Sequence, residues 1–473
     1  MHTDVVVVGA GLTGLTTAFW LRKWNVKVHV VETSTRTGGQ IQTLEENGFV
    51  FETGPTTGSV STPEVAELMR ELDDLTDGFC RMETAPDSAK RRLIWKGDCF
   101  HDLPSGPIGG LFTPLFRWKD KFRILGEPWR KKGVIPDETV GQLAERRLGK
   151  SFVDYAVDPF ISGVYAGNPY QLVTRYALPK LYRLEQDYGS FIKGAIAKKK
   201  EPKSDRDKLA TKQVFSARGG LSKLTEAESD FIGQDHISLG CKEVKVRPAG
   251  QGWLTTYINS DGAQQHIESR YVVTTCGAYA LNDLLPFIPK EEMAPIVSLT
   301  YAPVMEVNVG VTNTYGGDYQ AFGGLVPSIE QKPLLGILYP SACFSGRAPE
   351  GGALFSFFMG GMRHPEQLEL SDEQVKAIVN EYFHSMLKFP SDASPAFIHI
   401  SRHAKAIPQY DASSGPRIAS VSKIEQRHKG LILGGNLRDG IGMAQRITQA
   451  TTIARMLADQ LKETDKQKST NLL

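Results

Sequence analysis

Apolar residues along this chain fall into two rhythms that predict different elements. Val5 to Val8 form an unbroken β-branched run, the pattern of a strand buried on both faces; Leu15 to Trp24 follows as a helix, and Val26 to Val31 as a second strand. Within residues 286–415, "VMEVNVGV" and "ALFSFFMGG" alternate instead, which predicts a sheet with one apolar, covered face. Such a sheet can wall an apolar cavity for a flat ligand. Near the end, Leu431 to Leu433 predicts a short strand, followed by a Gly-Gly turn and a helix bearing Ile447, Ile453 and Met456.

These patterns divide the chain. Segments of dinucleotide-domain type occupy 1–84, 206–285 and 416–473, with a mainly helical insert at 85–205 and a mixed-sheet substrate domain at 286–415 between them. The middle segment contains "SARGGLSKLTEAE", a turn into a helix, then a meander with Gly and Asp-Gly turns, then "RYVVTTCGAYA", a strand into a small-residue turn. The expected class is therefore α/β, with a discontinuous Rossmann-type domain.

The helical insert changes the picture through its charge. From Arg117 to Gly133, seven Lys and Arg stand against two acids, with Trp118, Phe122, Ile124, Leu125 and Trp129 interleaved. A stretch of this kind packs its apolar side on a core, or lays it into lipid headgroups while its cations meet phosphates. "IAKKKEPKSDRDK" further on predicts a mobile surface loop.

Over the whole chain of 473 residues the net charge is only +2, so nothing draws the molecule globally to nucleic acid. Five cysteines, Cys80, Cys99, Cys241, Cys276 and Cys343, are scattered without a CxxC pair, which points to neither a disulfide framework nor a zinc site and fits a reducing, cytoplasmic compartment. Val5 to Leu21 lacks a basic flank and a cleavage site and is broken by glycine, so it belongs to the fold rather than to a signal or a span. His399 and His403 have the spacing of helical zinc ligands, but they lie in the alternating "AFIHISRHAKAIPQY". In a strand four residues separate side chains by about 13 Å, which argues against a metal there.

The chemistry begins at Gly9-Ala10-Gly11-Leu12-Thr13-Gly14, a GxGxxG turn between strand and helix. Gly9 permits the turn, Gly11 the approach of a pyrophosphate and Gly14 close packing of helix on strand, while the helix N-terminus meets the phosphate charge. Glu32, with Thr33 beside it, ends the second strand, where a carboxylate accepts hydrogen bonds from a ribose and disfavours a 2′-phosphate. FAD and NAD remain. Arg36, Gly38 and Gly39, followed by Gly54 in "GFVFETGPT", suit a cofactor whose second half runs back over this segment.

This opening resembles the FAD-binding segment of the flavin amine oxidase superfamily, which holds FAD non-covalently. Inner segments, "SGVYAGNP", "RGGLSKL", "FGGLVPS", "GILYPS" and "AIPQY", resemble the oxygen-dependent protoporphyrinogen oxidase family, with coproporphyrinogen III oxidase as sibling, over nearly the whole chain. The resemblance implies an amine-oxidase-like fold in which Val244 lies beside the adenine and Ile441, Gly442 and Met443 close on the flavin. It implies oxidation of a porphyrinogen by FAD, with O2 as acceptor, and no clear protein acid or base. On it, Phe322 and Leu325 are apolar tetrapyrrole contacts, Gly163 and Ala166 a small-residue stretch near the substrate, and Arg175 a propionate partner. Ile108 stands after "LPSG", where the resemblance implies an arginine, so the propionates need another partner. An amine oxidase, a carotenoid-type desaturase and a non-catalytic flavoprotein docked on the cytoplasmic face of a membrane stay open as alternatives, as does monomer against homodimer.

Overall fold

The computed structural model describes residues 1–470. Its first sheet is built on parallel strands in the order Ile237–Ser238, Val28–Val31, His2–Val8 and Gln264–Thr274, extended by Leu431–Leu433. Val5 to Val8 are at most 5% exposed because helices cover one face of the sheet and a second apolar layer covers the other. Burial of each such side chain is worth about 1.5–3 kcal/mol. Leu12–Lys23 packs on Ser222–Ile232 and on the long last helix, Met443–Thr470. Three distant parts of the chain thus close one dinucleotide-type domain, with Lys242–Ala249 and Gly252–Ile258 as its antiparallel edge. This is the α/β class expected.

The second sheet runs Phe397–Pro408, Tyr301–Val311, Ala353–Gly360, Leu334–Leu338, Gly323–Leu325, Arg92–Lys96, Cys99–Asp102. Met305, Val307, Val309, Phe355, Phe357 and Met359 pack with Val375, Val379 and Phe383 of the helix Asp372–Ser385, which explains one half of the alternation. The other face meets the hairpin Thr43–Glu46/Phe49–Glu52, through Phe49, Phe51, Leu354 and Phe397.

Two sequence expectations change. Arg92–Lys96 and Cys99–Asp102, assigned to the helical insert, are strands of the second sheet, because Gly323–Leu325 pairs in parallel with Arg92, Leu93 and Ile94. No local pattern could announce a partner more than two hundred residues away. The lysine-rich stretch is also more ordered than a mobile loop. Ser190 caps the helix Phe191–Lys200, a capping box of Ser204 and Asp207 starts Asp205–Lys208, and Arg206 pairs with Glu64 at 2.6 Å and Glu67 at 2.7 Å.

The helices around Glu127, Arg147 and Glu185 stand on a buried ion network. Arg147, fully buried, pairs with Glu127 at 2.8 Å and with Glu185, while Arg146 binds Glu138 and Glu185. Both acids in the basic stretch are structural, since Asp120, also buried, accepts the Ser151 N–H at 3.0 Å and the Ser151 hydroxyl at 2.7 Å. Burial alone would raise Glu127 and Glu185, but hydrogen bonds from Ser190 and the Phe191 and Ile192 amides to the first, and from Arg146 and Arg147 to the second, hold both below the usual carboxylate range.

Candidate active site

The glycine turn sits at the carboxyl end of His2–Val8. A Cβ on Gly14 would lie 1.9 Å from the Gly9 carbonyl oxygen, so only glycine allows helix and strand this close. Gly9 itself has φ +110° and its Cβ would meet Thr275 Oγ1 at 2.7 Å. At Gly11 the nearest atom to a Cβ is Gly39 Cα at 3.9 Å, which leaves the cradle open on that side. Gly11 is also the N-cap of the helix, without a side-chain cap and without an acid in the first turn, so the orphan amides and the positive helix end remain free for an anion.

Glu32 rims this cradle: its Oε2 accepts the Ala10 N–H at 2.6 Å and its Oε1 the Ser34 N–H at 2.7 Å, with Thr33 alongside. Arg36 donates to the carbonyls of Thr37, Gly39 and Ile41, at 3.0, 2.7 and 3.0 Å, which clamps the Gly38-Gly39 turn beside Gly11. Gly54 continues the wall, since its Cβ would fall 2.3 Å from the Gln40 carbonyl. Val244 lies at the bulge of its strand, half-buried against the apolar cluster that holds Val8, Val31 and Leu281. These features fit a dinucleotide: uncapped amides for the pyrophosphate, a rim carboxylate for a ribose and an apolar patch for a base.

The closing segment comes back over the cradle. Gly435 has φ +82° and its amide donates to Gln449 at 2.9 Å, while Arg446, 7% exposed, donates to the carbonyls of Gly435 and Arg438 and to Gln449. The Tyr410 hydroxyl receives the Gly440 N–H at 3.0 Å and touches the Asn436 and Gly440 carbonyls. Ile441 and Gly442 are half-buried and Met443 buried, and Ile441 packs on the helical lobe through Val140, Ile161 and Tyr410. The segment thus joins the dinucleotide-type domain to the helical lobe.

The arrangement of the second sheet follows from strand register. Arg92 pairs with Gly323, Ile94 with Leu325, Leu325 with Gly336, Gly336 with Phe358 and Phe358 with Glu306, so these residues share one sheet face. Opposite stands the helix Asp158–Tyr165. A Cβ on Gly163 would meet Leu325 Cδ2 at 2.5 Å, and the Ala166 carbonyl, in a left-handed turn at φ 46°, accepts the Met362 N–H at 2.7 Å. Ala166 packs with Val304, Phe358 and Ala406. Gly163, Ala166 and Leu325 therefore come together. Phe322 lies apart from them, against Ala85, Ala89 and Phe344, with the Arg92 guanidinium 5.4 Å from its ring.

Arg175 pairs with Asp137 at 2.5 Å and stacks on Tyr176, so its charge is met within the protein. Ile108 is 78% exposed on the short helix Pro107–Phe112. An exposed cation that sequence reading did not single out is Arg92. Its neighbour Arg91 points to the other face and pairs with Asp102 at 3.0 Å, whereas Arg92 is exposed on the face of Leu325 and Phe358 with an aromatic ring as its charge partner. The signal was the alternation of "RRLIWK", legible once that stretch is read as a strand. His399 and His403 lie in a strand, near Glu46 at 3.8 Å and the Thr53 carbonyl at 2.5 Å respectively.

A model of the family described as flavin containing amine oxidoreductase matches residues 12–443. The chain belongs to this family. It is 27% identical to protoporphyrinogen oxidase 2, chloroplastic/mitochondrial, of Arabidopsis thaliana, over 99% of this chain and 96% of that one. It is 30% identical to protoporphyrinogen oxidase of Homo sapiens, over 94% and 96%. A crystal structure of a protein from Exiguobacterium sp. 255-15 shares the fold with a TM-score of 0.78 at 20% identity, covering 97% of this chain and 99% of that one. The protein is an FAD-dependent oxidoreductase, and the cradle from Gly9 to Gly54 is the part of this flavoprotein that fits the cofactor.

Proposed function

We propose that this flavoprotein oxidises protoporphyrinogen IX to protoporphyrin IX. The observation that carries this reading is the full-length kinship with protoporphyrinogen oxidases. FAD, when bound, takes the hydride in each two-electron step and passes the electrons to O2, and three such steps convert one porphyrinogen and three O2 into one porphyrin and three H2O2. The chain's own residues bind and orient. On this reading the substrate cleft lies beside the place where Leu325 and Phe358 meet Gly163 and Ala166, and the packing of these four residues fixes its apolar edge.

Arg92 gives the ligand its direction. Between the strands that carry Glu306 and Arg92 lie four strand spacings of about 4.8 Å, about 19 Å in all. A macrocycle beside that edge carries a propionate toward Arg92 at the rim of the sheet, where a guanidinium holds it bidentately. Parallel aerobic turnover of protoporphyrinogen IX and coproporphyrinogen III, followed by porphyrin fluorescence, tests the reading. Preference for the first supports it, preference for the second moves the protein to the sibling activity, and turnover of neither overturns it.

A membrane-facing surface is a second part of the proposal. Ile108, Phe112, Phe122, Leu125, Trp129, Val134 and Ile135 are all exposed, clustered in sequence with Arg117, Lys119, Lys131 and Lys132. Apolar side chains beside cations suit peripheral contact with an anionic leaflet, and no helix among the described residues is long and apolar enough to cross one. Flotation with anionic vesicles at low salt checks this. Protein that stays entirely at the bottom rules it out.

A further inference from the structure

Three arms of the cofactor cradle converge on one lysine of the second sheet. In the strand Phe397–Pro408 the register slips: His403 pairs with Val304 but Ile407 with Ala302, so Ala404, Lys405 and Ala406 face only Pro303 of the neighbouring strand. A surplus of this kind bends a strand and re-aims its side chains. Just before the slip, His403 meets the Thr53 carbonyl beside Gly54. Within it, the Lys405 and Ala406 carbonyls each accept from Gln40 Nε2 at 3.3 Å, and Gln40 follows Gly39, whose Cβ would lie 3.0 Å from Gly11 Cα. The side chain of Lys405 reaches Tyr279, with Nζ 3.9 Å from the ring centroid. That ring folds back on Gly277, whose Cβ would meet it at 2.3 Å, and the adjoining Cys276 N stands 3.3 Å from where a Cβ on Gly9 would be.

We propose that Lys405 is the counter-ion of the FAD diphosphate and that the Tyr279 ring holds it at the cradle for that task. The other cations there are committed: Arg36 donates to the carbonyls of Thr37, Gly39 and Ile41, and Arg446 to those of Gly435 and Arg438. Among the described residues the exposed Lys405 ammonium has neither an ion pair nor a hydrogen bond, only the aromatic ring. An ammonium over an aromatic face is steadied while its charge stays whole. The uncapped amides and positive end of Leu12–Lys23 answer part of a doubly charged diphosphate, and a cation answers the rest. The second sheet thereby contributes a charge to the cofactor held by the first.

The inference rests on the cofactor and not on the substrate, so its test reads flavin binding. At neutral pH oxidised FAD carries its charge on the diphosphate alone, so losing a diphosphate counter-ion should cost affinity that salt then hides. Holoprotein is diluted in a salt series from about 20 mM to about 1 M, and the fluorescence of released FAD gives Kd. Lys405→Gln should raise Kd about tenfold at the low end, and no more than about threefold at 1 M, where the screening length is about 3 Å. Lys405→Arg keeps the charge and should stay within about threefold of wild type throughout. Tyr279→Phe keeps the ring and should match wild type, whereas Tyr279→Leu should lose several-fold at low salt. Joining Tyr279→Leu to Lys405→Gln should cost no more than Lys405→Gln alone. The proposal is overturned if Lys405→Gln binds FAD like wild type at low salt, even where its KM for the porphyrinogen rises. It is equally overturned if the loss persists in full at 1 M, if Lys405→Arg falls as far as Lys405→Gln, or if the losses of the double variant simply add.

Discussion

The cofactor cradle and the substrate cleft are built in opposite ways. The cradle's turn, helix, second strand, acid and Gly38-Gly39 loop all lie between Gly9 and Gly39, and each is held by backbone geometry. The cleft takes Arg92, Gly163, Leu325 and Phe358 from separate segments, and side-chain packing and ion pairs hold it in shape. A local design fails through single backbone positions, whereas a dispersed one fails through its supports. Separate lesions should therefore separate cofactor binding from substrate binding.

The largest effect is expected at a support. Removing Arg147 leaves Glu127 and Glu185 buried without their shared cation, a loss of about 3–5 kcal/mol. Arg147→Ala should lower the melting temperature and abolish porphyrinogen turnover, and any folded fraction should still carry flavin. Acid should act on the same lobe. Glu127 and Glu185 are held below the usual range, so their contribution is complete above about pH 4.3 and is lost as the pH falls through their depressed native values. Melting followed from pH 6 downward should show stability falling only below about pH 4, with the fall reduced in Glu185→Gln.

Next comes the cradle. Gly14→Ala forces a methyl against the Gly9 carbonyl at 1.9 Å, where backbone faces backbone and neither can turn aside. A cost of about 2–3 kcal/mol corresponds to roughly thirty- to hundredfold weaker FAD binding. The variant should purify largely colourless, and added FAD should partly restore it.

That contrast also explains what the sequence disclosed. The cradle was legible because strand, glycine turn, helix and acid follow one another within forty residues, and each imposes a local pattern. The sheet domain was legible as alternation in "VMEVNVGV" and "ALFSFFMGG". Arg92 was not, because its meaning depends on a parallel pairing with Gly323 that leaves no local trace, and Ile108 drew the eye to a helix that lies on the surface. The ion network escaped for a similar reason: Glu127 reads as one acid in a basic stretch until Arg147 and Ser190 are brought to it.

Arg92 is the sharper test of the cleft. Arg92→Leu should keep the flavin spectrum and lower kcat/KM for the porphyrinogen about ten- to hundredfold, chiefly through KM, the worth of a charge-assisted pair of about 1.5–3 kcal/mol. Arg92→Lys should recover part of it. A loss confined to kcat would place Arg92 elsewhere in the reaction.

The smallest expected effect tests whether Gly163 and Leu325 are one gap or two contacts. A methyl at position 163 would press on Leu325 Cδ2 at 2.5 Å, but that atom ends a flexible side chain, so Leu325 can swing toward the cleft. Gly163→Ala should then raise KM only a few-fold, about 1 kcal/mol, without lowering the melting temperature. Leu325→Ala alone should also weaken binding, by removing apolar contact. If the glycine exists to leave room for Leu325, the double variant should bind substrate better than the sum of the two losses predicts, because the new methyl then fills space that the leucine vacated. Strict additivity in this cycle would mean that the two residues meet the ligand independently and that the helix Asp158–Tyr165 sets the width of the cleft without Leu325.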